Sequence, residues 1–177
     1  KRLGTQMIEI DPAPTADGRF VLFHDATLDC RTNGTGAVRA QTLAQLKALD
    51  AGHGYSPDGG KTFPLRGLGR GLIPSLEDAL ATAGDTALLY NLPFADAETA
   101  ARFVAAAKGA GRDPVARGDA FSGPEAALGP IRAAWPSAWV YSDRQAAACT
   151  RARRYGPSAR SMKRASSASE CTPTRTR

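Results

Sequence analysis

Histidine is almost absent from this 177-residue chain, which holds two, and cysteine is scarce at three. Cys30, Cys149 and Cys171 are odd in number and widely spaced, which argues against structural disulfides and against any metal-ligand or redox pairing pattern. No run of ~18 apolar residues suggests a membrane span, and no leader is visible. The compartment is therefore open, with the cytoplasm favoured. The C-terminal stretch lacks Val, Ile, Leu, Phe and Trp altogether, and Glu170 is its one acid against eight Lys and Arg in residues 151–177. Residues 1–150 carry 15 basic and 16 acidic side chains, so the net charge of +6 comes from the tail. A stretch this polar and basic cannot bury enough surface to fold, which predicts disorder.

What is present begins with Met7-Ile8-Glu9-Ile10-Asp11, an alternation of apolar and acidic residues that reads as a short strand ended by Pro12. Side chains two apart share one face of a strand, so Glu9 and Asp11 point the same way. Two carboxylates held that close repel unless a cation lies between them, and hard divalent ions take oxygen ligands. Two solvent-facing acids on an edge strand would give the same pattern. Thr15-Ala16-Asp17-Gly18 follows as a turn, and Arg19-Phe20-Val21-Leu22-Phe23 is a second apolar run that ends in His24-Asp25. Polar groups thus gather at the C-terminal ends of two strands, where parallel α/β sheets build their chemistry.

These residues, with His24-Asp25-Ala26-Thr27-Leu28-Asp29, Arg31-Thr32-Asn33-Gly34-Thr35-Gly36, Thr42-Leu43-Ala44-Gln45-Leu46-Lys47 and Ile73-Pro74-Ser75-Leu76-Glu77-Asp78-Ala79-Leu80, resemble the glycerophosphodiester phosphodiesterase family. Several motifs in the family's order over residues 5–80 carry the resemblance, which weakens beyond residue 80. It implies an α/β fold, a TIM (β/α) barrel, with Glu9 and Asp11 as ligands of Mg2+ or Ca2+ and His24 as one of two acid/base histidines. The implied reaction converts a small-molecule glycerophosphodiester to glycerol 3-phosphate and an alcohol. Asp25 either orients His24 or caps the following turn. Arg31, close behind His24, is a candidate for binding substrate phosphate, with a surface role as the alternative.

The departures are equally specific. The family's His-Arg-Gly motif on the first strand is expected to lie before this chain begins, with Lys1 to Gln6 as the end of the first helix. The second histidine, His53, falls in a glycine-rich loop and is a poor replacement. The third metal ligand should come from Thr86 to Pro93, where Asn91 offers a neutral amide oxygen, or Pro93 falls in its place, and the usual phosphate-contacting lysine has no counterpart. Strands are expected near 6–11, 19–24, 86–92, 114–118 and 138–142, with helices near 75–83, 96–109, 124–134 and 143–150. That is a partial barrel, about five of eight strands, over residues 1–150.

The tail at 151–177 has two readings. It could be a basic arm for nucleic acid or anionic lipid, or the out-of-frame end of a GC-rich gene, favoured because the composition changes inside an expected helix. Gly59-Gly60-Lys61-Thr62 lacks the leading strand and first glycine of a phosphate loop, so it reads as a loop over the barrel mouth that carries Lys61, Arg66 and Arg70. The reading favoured is metal-dependent diester hydrolysis. Its rival is an inactive remnant or binding module, without the first histidine and third carboxylate. Nucleic acid is disfavoured as a partner, a membrane surface is retained, and the oligomeric state is open.

Overall fold

In the computed structural model the described residues are 4–145, and they form two compact units. One unit comprises the chain up to Glu9, residues 86–104 and the chain from Asp113 onward. The other comprises Ile10–Asp85 and Ala105–Arg112.

The first unit holds a four-stranded sheet in the order β1 (Met7–Ile10), β4 (Ala87–Asn91), β5 (Ala120–Gly123), β6 (Trp139–Ser142). The pairs β4·β5 and β5·β6 are parallel, with Tyr90 opposite Phe121 and Phe121 opposite Val140. Parallel neighbours need crossovers. These are the helices α3 (Ala97–Gly109), whose residues from Ala105 belong to the other unit, and α4 (Pro114–Arg117) between β4 and β5, and α5 (Glu125–Ala134) between β5 and β6. The core is aromatic. Tyr90, Phe121 and Trp135 stack in sequence at 4.8 and 5.5 Å between centroids, and Phe103 meets Tyr90 edge-on at 5.5 Å. Full burial of such a ring contributes roughly 1.5–3 kcal/mol. At the start of β5 the buried carboxylate of Asp119 accepts the Leu88 N–H at 2.9 Å and the Tyr90 hydroxyl at 3.2 Å, tying β4 to β5.

The second unit is built around a hairpin, β2 (Pro12–Pro14) with β3 (Phe20–Leu22), and the helices α1 (Leu43–Ala48) and α2 (Leu76–Ala83). Ala13, Val21, Leu28, Val38, Leu46 and Ile73 form its core. Both helices begin with a capping box, Thr42 with Gln45 and Ser75 with Asp78, which satisfies N–H groups that a first turn leaves without partners.

Several sequence expectations need correction. The run 19–24 forms a strand, but it pairs antiparallel with Pro12–Pro14 in a sheet of its own, apart from the parallel sheet. Pro12 does not end strand structure, because the ladder uses the odd positions: Asp11 O accepts from Phe23 N at 3.0 Å and Thr15 N donates to Arg19 O at 2.9 Å. Pro12 and Pro14 occupy the alternate positions, where no N–H is required. Residues 114–118 form the helix α4 and its cap, and the strand comes two residues later, at Ala120. Asp113 caps that helix through Val115 N and Ala116 N, Pro114 opens it, and Gly118 closes it at φ +71°. Gly4 to Gln6 is irregular chain and not a helix end, and residues 1–3 lie outside the described residues. Helix begins at 143 as expected, while its remainder and the tail at 151–177 also lie outside them.

Candidate active site

The hairpin register decides which polar groups meet. Pro12 lies opposite Leu22, so the next pair outward is Asp11 and Phe23, and His24 follows at once. The segment after His24 then doubles back. Leu28 N donates to Gly36 O at 2.9 Å, Val38 N donates to Ala26 O at 3.1 Å, and the buried Thr32 hydroxyl donates to Leu28 O at 2.9 Å. This compact loop returns Arg31 to Asp25. His24 Nδ1 lies 2.8 Å from Asp25 Oδ1, and Arg31 Nε donates to Asp25 Oδ2 at 2.8 Å. One carboxylate thus bridges an imidazole and a guanidinium.

The electrostatics follow from that bridge. The hydrogen bond that the ring N–H donates to Asp25, then the negative charges of Asp11 and Asp25, hold the His24 pKa above the usual imidazole value. Arg31 and His24 in turn hold the Asp25 carboxyl below the ordinary carboxylate range, and Asp25 raises Arg31. With Nδ1 engaged by Asp25, Nε2 is the ring nitrogen left to exchange a proton. His24 and Arg31 are exposed and Asp25 half-buried, so the cationic side of the array faces solvent.

Glu9 is exposed on β1, and Asn91, half-buried, ends the neighbouring strand β4. His53 is tied to the buried Asp50, Nδ1 to Oδ2 at 3.2 Å, which makes it part of a loop anchor. The Gly-Gly-Lys-Thr stretch is no anion cradle, because its Lys61 and Thr62 N–H groups, at 3.1 and 2.8 Å, are already taken by Asp58 Oδ1. Two acids show little of their role in the sequence. Asp25 signalled its role only by adjacency to His24, and Asp50 gave no local sign, since its partners Gly67 and Gly69 lie far along the chain.

A sequence model described as the glycerophosphoryl diester phosphodiesterase family matches residues 1–166. The chain belongs to that family. Similar proteins include a glycerophosphodiester phosphodiesterase of Bacillus subtilis (strain 168), 36% identical over 93 residues that make up 51% of this chain and 30% of the relative. Another, from Caldanaerobacter subterraneus subsp. tengcongensis, is 38% identical over 90 residues, 51% of this chain and 33% of the relative. The matched stretch is thus about a third of either relative's length.

Solved structures show the same fold. The glycerophosphoryl diester phosphodiesterase domain of a Mycobacterium tuberculosis protein superposes with a TM-score of 0.69 at 20% identity, covering 88% of this chain and 56% of that one. An Oleispira antarctica phosphodiesterase, solved in complex with the product sn-glycerol-3-phosphate, gives 0.61 at 26% identity over 80% of this chain and 55% of that one. The parallel sheet and its crossover helices are accordingly part of a TIM barrel.

Taken singly, Glu9, Asp11 and Asn91 each offer an oxygen of the kind a hard divalent ion takes. In number of charges they offer two. Among the described residues no group of three or more His, Cys, Asp or Glu side chains is placed to hold a metal ion.

Proposed function

We propose that this family member hydrolyses small glycerophosphodiesters to glycerol 3-phosphate and a free alcohol, with His24 as an acid/base catalyst, Asp25 as its positioning residue and Arg31 as a phosphate contact. The observation that carries the reading is the bridge from His24 through Asp25 to Arg31. Arg31, anchored through Nε, retains its terminal nitrogens for a phosphate oxygen. The raised pKa of His24 keeps a proton on the ring at higher pH than a free imidazole would. That suits donation from Nε2 to the departing alcohol oxygen as the P–O bond breaks and water oxygen bonds to phosphorus. The attacking water releases one proton to solvent, and the imidazole left behind takes one up from solvent, so the step balances. Asp25 stabilises the imidazolium and fixes the ring.

Glu9 and Asp11, with Asn91 as a neutral third donor, are the residues that would hold Mg2+ or Ca2+. Such an ion, when bound, supplies positive charge against the phosphate oxygens. Two carboxylates and an amide would hold it more weakly than three carboxylates.

One observation favours a second reading, in which the chain binds the diester without turnover. Of its two histidines, His53 is committed to Asp50, which leaves His24 alone to move protons. Incubation with glycerophosphocholine, with added Mg2+ or Ca2+ and again with excess chelator, separates the two. Hydrolysis predicts glycerol 3-phosphate that disappears on chelation. Calorimetric binding of glycerophosphocholine with no product would favour the second reading, and turnover indifferent to chelator would end the metal assignment.

A further inference from the structure

We propose that the segment from Ala51 to Leu72 is a docking surface for an anionic lipid bilayer. Leu68 and Leu72 are the most exposed large apolar side chains among the described residues, at 69% and 66%, with Tyr55 at 52% and Leu65 at 40% on the same segment. Single exposed leucines are ordinary on any protein. Here three stand within eight residues and alternate with exposed Arg66 and Arg70, with exposed Lys61 just before them.

The charge on this stretch is one-sided. Its one acid, Asp58, is spent inside its own turn, accepting from the hydroxyls of Ser56 and Thr62, each at 2.8 Å, and from the N–H groups of Lys61 and Thr62. Arg66 is fixed at the surface, its guanidinium 3.6 Å above the Phe63 ring and its Nε donating to His53 O at 3.1 Å. Leucines that enter the acyl boundary while arginines meet lipid phosphates are the two halves of interfacial binding.

The leucines are also held in place. Asp50 accepts the N–H groups of Gly67 and Gly69 at 2.7 and 2.8 Å, Ala51 N donates to Gly69 O at 3.1 Å, and Gly71 N donates to Lys47 O at 3.0 Å. Turns close from Leu68 N to Leu65 O and from Leu72 N to Gly69 O. The backbone that presents the leucines is therefore tied to a buried carboxylate on both sides of Leu68. Gly52 N donates to Arg31 O at 2.7 Å, which links the segment to the backbone of the candidate active site. Docking would present His24, Asp25 and Arg31 near the lipid–water boundary, although the docking itself does not depend on the proposed hydrolysis.

The test is flotation of the full chain with vesicles of phosphatidylcholine alone and of phosphatidylcholine mixed with phosphatidylglycerol. Binding is expected to the mixed vesicles. The pair Leu68→Ser and Leu72→Ser, with an unchanged circular dichroism spectrum, should weaken it at least about tenfold. Arg66→Gln with Arg70→Gln should weaken it and flatten its dependence on salt. The basic stretch 151–177 is present in every variant, so it cannot produce the leucine effect. Failure to bind the mixed vesicles, or equal binding by the double leucine variant, would overturn the proposal. So would leucine-dependent self-association without vesicle binding, which would make a second copy of the chain the occupant.

Discussion

At the scale of single residues, Asp25 governs the chemistry open to His24. Asp25→Asn removes the negative charge that strengthens the leading hydrogen bond and attracts the ring proton, so the His24 pKa should fall towards about 6.5, read from the imidazole resonances in an NMR titration. Arg31→Gln should not lower it, because the guanidinium charge opposes protonation of the ring. The sign of the linkage follows: a raised folded-state pKa gives stability that is full below about pH 6.5 and is lost as pH rises through the folded value. Gly69 makes a different kind of residue-level demand. A Cβ there would lie within 2.6 Å of Ala51 C and 2.7 Å of Ala51 N, so Gly69→Ala must displace backbone. A cost of roughly 1–3 kcal/mol is expected in urea denaturation, and an unchanged midpoint would show that the segment yields freely.

At the scale of elements, caps and register do the organising. Asp113→Ala removes the side-chain acceptor for two N–H groups of α4 and should cost about 1 kcal/mol in thermal or urea unfolding. Asp78, which caps α2 and meets Lys47 Nζ at 2.5 Å, has its pKa lowered to about 2. Its contribution is present above the unfolded carboxylate value near ~4 and is lost as pH falls through about 2. The pair is largely exposed, so the effect is small and screened by salt. Asp78→Asn should lower the neutral plateau slightly, leave stability below about pH 2 unchanged, and so flatten the acid limb between them. The hairpin has the larger consequence, because only the pairing of Pro12 with Leu22 brings Asp11 near His24.

At the scale of the whole molecule, the sequence shows well those features that depend on near neighbours. The Asp17-Gly18 turn, the helices at 76–83, 97–109 and 125–134, and the family motifs around Glu9, Asp11 and His24 could all be read from local pattern. What escaped depends on partners far away. Pro12 reads as a terminator until its place in an antiparallel ladder is known, Pro114 and Val115 resemble a strand start until Asp113 and Gly118 are seen to cap a turn, and Asp50 gains its role from residues 17 and 19 positions on. Asp25 stood between two roles because a carboxylate after a strand serves a turn or a histidine equally well. The proposed function depends on His24 moving protons in the hydrolysis of a glycerophosphodiester. Its most direct test is the rate of glycerol 3-phosphate release by the full chain and by His24→Ala under the same divalent-ion conditions. A loss of roughly 10²–10⁴-fold is predicted. A His24→Ala protein that turns over at the parent rate would contradict it.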